Sequence, residues 1–117
     1  MRHVWQRYRI WRRRHVAELE LTDGGFVLHH GRRSARVEWG KIKQIVALKR
    51  DLLAVDLLCL LILADDAAVE IHEDMAGYGA VESALINALD IGFEWKTAVL
   101  FPAFATNPTT IFERGEA

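Results

Sequence analysis

From Ala17 to Glu73 apolar residues recur at every second position in one short segment after another, and this period of two constrains the fold more than any other feature. In AELEL, Ala17, Leu19 and Leu21 share one face and Glu18 and Glu20 take the other. FVLHH (26–30), SARVEW (34–39), QIVALKR (44–50), VDLLCLLIL (55–63) and AAVEIHE (67–73) follow. TDGG (22–25), GRR (31–33) and ADDA (64–67) separate them with residues suited to turns. About six strands at this spacing predict an antiparallel sandwich or partly open barrel. VDLLCLLIL is apolar on both faces, so it reads as a central strand covered on both sides. The connection before it, DLLA (51–54), lacks the Gly or Pro usual at a hairpin tip.

The same run does not read as a membrane span. Leu52 to Ala64 is thirteen residues with Asp56 inside, against the ~20 that a helical span needs. Asp56 is better read as a carboxylate bonded to backbone amides, or to Lys49 or Arg50 across the hairpin, than as an acid or base.

After Glu73 the period changes. Tyr78, Val81, Leu85 and Ala88/Leu89 fall at helical spacing, which predicts an amphipathic helix over about residues 76–90, with Asp74 as its cap and Gly92 at its exit. Phe93, Trp95, Val99, Phe101 and Phe104 predict a packed, extended apolar tail over 92–117, turning around Pro102. A chain of 117 residues is one domain by length. The expectation is therefore an α+β, mostly β domain over 16–117, preceded by an Arg- and aromatic-rich arm at 1–15.

Trp39, Ile42 and Ile45 form a W-x-x-I-x-x-I passage. With the short antiparallel strands and the single helix after them, residues 16–90 resemble the pleckstrin-homology-like (PH-like) domains of bacteria. That resemblance implies a non-enzymatic binding module. Eukaryotic relatives that take phosphoinositides use basic residues in the first hairpin turn. Here that turn is Thr22, Asp23, Gly24 and Gly25, which is acidic, so the resemblance implies a protein partner.

Residues that could carry chemistry are few. His29 and His30 are adjacent and point to opposite faces of a strand. Glu70 and His72 share a face, and Asp74 joins them if the strand continues; such a set could ligate a metal, as a small metal-dependent enzyme would need, but alternating polar residues on a solvated strand are the commoner cause. No metal and no cofactor is expected. Cys59, the one cysteine, reads as a small buried hydrophobe and leaves no internal disulfide. The start, MRHVWQRYRIWRRRH, is basic without the apolar region of a secretory signal. A cytoplasmic protein is the expectation.

Charge carries the functional expectations. Residues 1–50 hold thirteen Lys/Arg and four Asp/Glu, a balance of +9; residues 51–95 hold ten Asp/Glu and no Lys or Arg, a balance of −10. Asp65, Asp66, Glu73, Asp74, Glu82, Asp90 and Glu94 are thus expected to make an acidic surface around the helix, suited to a basic protein partner. Lys49 and Arg50 flank Leu52 and Leu53 at the hairpin tip, a second candidate contact if the leucines are exposed. An immunity protein that masks the cationic site of a toxin nuclease is the sharpest form of this expectation; a homo-oligomer is another. Arg7, Arg9, Trp11, Arg12, Arg13 and Arg14 support an alternative, a nucleic-acid-binding module that grips phosphates and stacks on bases.

Overall fold

The computed structural model describes residues 17–52, 55–92, 94–100 and 108–115. Its strands in chain order are β1 (Glu18–Thr22), β2 (Gly25–His30), β3 (Arg33–Glu38), β4 (Ile42–Leu52), β5 (Val55–Ala64), β6 (Ala68–His72) and β7 (Thr109–Glu113). A 3-10 turn, Trp39–Lys41, links β3 to β4; helices α1 (Tyr78–Leu89) and α2 (Glu94–Leu100) come between β6 and β7. The strands make two antiparallel sheets, β1-β2-β3 and β6-β5-β4-β7, and no closed barrel forms among the described residues. The α+β, mostly β class expected from the alternation is the one found.

Register explains why the alternation sufficed. Leu19 faces Leu28, and Phe26 faces Leu21 on one side and Val37 on the other. In the larger sheet Ile45 faces Ile62, and Leu60 lies between Ala47 and Ile71. Apart from Leu21, which is 45% exposed, these residues join Tyr78, Val81 and Leu85 of α1 and Trp95 and Val99 of α2 in one core. Ile42 and Ile45 are wholly buried, and the half-buried Trp39 sets its ring 5.8 Å from that of Phe26. The W-x-x-I-x-x-I passage is thus a packing device at the corner between the sheets. Gly25 is needed nearby, because a Cβ there would collide with the Val37 carbonyl.

Four local expectations are corrected. The hairpin does not open at residue 51: pairing continues through Asp51↔Asp56 to Leu52↔Val55. The helix starts at Tyr78, and its N-cap residue is Gly77 instead of Asp74: Gly77 sits at φ +86, and a Cβ there would strike the Leu19 carbonyl. It ends before Gly92, at Asp90, which is left-handed at φ 54 and gives its N–H to the Ile86 carbonyl. The tail is buried at Trp95 and Val99 as expected, but helical over Glu94–Leu100 instead of extended. Beyond it the chain returns as a seventh strand, β7, on the free edge of β4. Arg114 fastens that return: its N–H bonds the Lys43 carbonyl and its Nε the Ile42 carbonyl, 2.8 and 2.9 Å away, across the irregularity between Ile42 and Gln44.

Candidate functional site

The two helices meet at a tight corner. Asp90 turns the chain, Ile91 buries its side chain, and α2 then lays Trp95 and Val99, four residues apart, onto the core. This leaves Glu94 and Lys96 exposed. Lys96 reaches back to α1 and pairs with Glu82 at 2.5 Å. Between the helices lies an open cleft of about 480 Å³, lined by Glu82 and Lys96, with the exposed Ser83, Asn87 and Asp90 at its rim. Ile86, Ile91 and Trp95 supply its apolar lining.

The electrostatics are uneven. Glu82 is buried, with 12% of its side chain exposed, whereas Lys96 is 46% exposed. Glu82 also lies beside Tyr78, one helical turn earlier. Burial holds the Tyr78 hydroxyl well above the usual range, and the Glu82 carboxylate pushes the same way. That hydroxyl has no hydrogen-bond partner among the described residues.

The expected acidic surface is broken into three parts. Asp65 and Asp66 sit in the β5–β6 turn and pair with Lys43 at 3.3 Å and Lys41 at 3.7 Å. Glu73 and Asp74 follow the other end of β6, where Glu73 accepts the Leu58 N–H at 3.1 Å. Glu82, Asp90 and Glu94 belong to the helices, and only Asp90 and Glu94 of these are exposed. Residues 51–95 hold no Lys or Arg, but Lys96, the next residue, supplies the helix with a cation.

At the hairpin, Lys49 faces inward opposite Leu58 and is 1% exposed, so it flanks no surface patch. Arg50 faces outward and donates to Glu70 from Nε at 3.2 Å and from its terminal nitrogen. The side chains of Leu52 and Asp56, and the whole of Leu53, lie outside the described residues. So do Arg7, Arg9, Trp11, Arg12, Arg13 and Arg14.

The Arg50–Glu70 pair has a local purpose. Arg50 sits opposite Leu57 and Glu70 opposite Leu61, so the bond between them crosses β5 above Cys59. Cys59 is wholly buried, and burial, followed by the Glu70 charge, pushes its thiol up to about 11. A thiol held so far from thiolate is a poor nucleophile. Engaged by Arg50, Glu70 is not poised for a metal, and no three His, Cys, Asp or Glu side chains converge among the described residues. His29 instead meets Glu20 across the first hairpin at 2.8 Å.

The cleft was not singled out from the sequence, although Glu82, Ser83, Ile86, Asn87 and Asp90 form one stripe at helical spacing. Lys96 carried no signal, since its partner is fourteen positions away. No helix among the described residues is long and apolar enough to cross a membrane. Comparison of the chain with protein-family models, with curated proteins and with solved structures gave no match.

Proposed function

We propose that this chain is a non-enzymatic module that binds another protein, and that the cleft between α1 and α2 receives a basic part of that partner. The observation that carries this reading is a buried carboxylate, Glu82, lining an open cleft whose rim is polar and acidic at Asp90. A few convergent polar groups over an apolar lining are what a binding site requires. The sealed thiol of Cys59 and the structural pairing of Arg50 with Glu70 support the non-enzymatic part. The PH-like resemblance is in keeping with it, as is a cytoplasmic setting, where a free buried thiol is stable. An immunity protein covering the cationic site of a toxin nuclease is its sharpest form.

The test is an NMR titration of the full, isotope-labelled chain with a hexa-arginine peptide and, separately, with a single-stranded oligonucleotide. Shifts at Ser83, Asn87, Asp90 and the Trp95 indole on adding peptide would support the cleft. An unmoved cleft would sink this reading. Binding to the oligonucleotide alone, falling steeply with salt and lost on deleting residues 1–14, would favour the nucleic-acid alternative.

A further inference from the structure

A carboxylate enclosed by protein is costly unless a cation goes with it, and removing that cation leaves an uncompensated charge. The cation beside Glu82 is unequal to it in mobility. Glu82 is fixed on α1 with 12% of its side chain exposed, while Lys96 is 46% exposed and reaches the same carboxylate from solvent. A lysine of that kind loses little when it swings outward, because nearly half of its side chain already meets solvent and its stem is flexible. Glu82 has no such freedom, so any departure of Lys96 leaves a site that demands another cation.

Building on the protein-binding reading, we propose that Glu82 is the recognition group for an arginine or lysine side chain of the partner, and that Lys96 is a resident cation which the partner displaces. The cleft suits arginine better. A guanidinium fork can meet both oxygens of one carboxylate, and Asp90 on the rim offers a second acid. Trp95 lines the same cleft, with the Lys96 ammonium already 5.8 Å from its ring, so a planar cation entering there would meet an aromatic neighbour. Lys96 thereby sets a threshold. Weakly basic surfaces fail to displace it, and only a side chain that binds Glu82 better than a tethered lysine enters.

Fluorescence anisotropy of a labelled hexa-arginine peptide, at roughly 50 mM salt where screening is weak, tests this on the full chain. Lys96→Met should bind about fivefold more tightly than the native protein, since the competitor is gone. Lys43→Met makes the same change in net charge at the distant Asp65 pair and should change affinity less than about twofold. Glu82→Gln should weaken binding about tenfold. Lys96→Arg keeps the pair and so the fold; its stronger fork should lower peptide affinity, which keeps the idea testable if Lys96→Met does not fold. Native binding at the cleft with Lys96→Met no tighter than Lys43→Met, or with Glu82→Gln unchanged, would overturn the inference and leave the protein-binding reading standing. No peptide binding by any variant would overturn both.

Discussion

From Leu57 to Leu63 the two faces of β5 are both wholly apolar, yet they meet different surroundings. Inward, Leu58, Leu60 and Ile62 are 2%, 0% and 0% exposed, pressed by neighbours in the sheet, by the second sheet and by both helices. Outward, Cys59 is just as buried, but Leu63 at the far end is 41% exposed. The inner face is closed by packing from Leu58 to Ile62. The outer face joins a small separate cluster of Leu48, Leu57, Cys59 and Leu61, and at Cys59 the lid is an ion pair. Apolar residues on both sides of a strand therefore establish that it is central, and nothing about how each side is covered.

The largest effect should come from the inner face. Leu60→Ala would leave a cavity among Ala47, Ile71 and the core, costing about 2–5 kcal/mol in chemical unfolding. A loss below about 1 kcal/mol would mean that the inner face is no better packed than the outer one.

Cys59 tests the buried end of the outer face. Cys59→Ser places a hydroxyl there, and its thiol already leans on the Leu57 carbonyl at 3.5 Å, so an acceptor exists and the cost should be about 1–2 kcal/mol. Its pH dependence has a definite sign. The folded thiol, at about 11, holds its proton more firmly than the unfolded one near 9.0. The unfolded chain therefore loses protons first as pH rises, and the stabilisation present below about 9 fades between 9 and 11. Urea midpoints of native protein and Cys59→Ala, compared across that window, should converge as pH rises; parallel curves would show that the thiol is not sealed.

How far the sequence revealed all this depended on which force set each element. Strands β1 to β4 and β6 were legible because one-sided burial imposes a period of two, β5 because an apolar run bounded by turn residues marks a strand covered on both faces, and α1 because a buried stripe imposes helical spacing. α2 was misread for a definable reason. Trp95 and Val99 are four apart, a spacing that fits a helical turn and also an even strand step, and Phe93 and Phe101 share the same parity. β7 was missed because Thr109–Glu113 is a short edge strand whose place is set by the free edge of β4 and by Arg114. The acidic residues were legible as a set and misplaced as a surface, since Lys41, Lys43 and Lys96 reach three of them only after folding.

Arg50→Met would remove the ion pair beside Cys59 with little loss of stability. The pair is largely solvated, with side chains 49% and 34% exposed, so the cost should stay below about 1 kcal/mol. The sharper readout is thiol labelling by a maleimide at neutral pH. It should slow, because the Arg50 charge and hydrogen bond hold the thiol down against burial and the Glu70 charge, and methionine leaves those two unopposed. Unchanged labelling would assign the sealing of Cys59 to Leu48, Leu57 and Leu61 alone.

The smallest effect is expected at Leu63, and it separates the two ends of the outer face. Leu63 pairs with Gln44 on one side and Ala68 on the other, neighbours too short or too polar to close over it. Leu63→Thr keeps a strand-forming side chain and removes apolar surface that folding only half buries. Its effect on stability should therefore lie within about 0.5 kcal/mol of zero, as for surface positions generally. The same exchange two residues earlier, Leu61→Thr, strikes a half-buried side chain that packs on the Leu48, Leu57 and Cys59 cluster and should cost more. If both substitutions cost alike, the outer face is covered uniformly and its contrast with the inner face shrinks to the Cys59 lid. If Leu63→Thr instead changes the oligomeric state seen by light scattering, the exposed end of β5 is a contact surface in its own right.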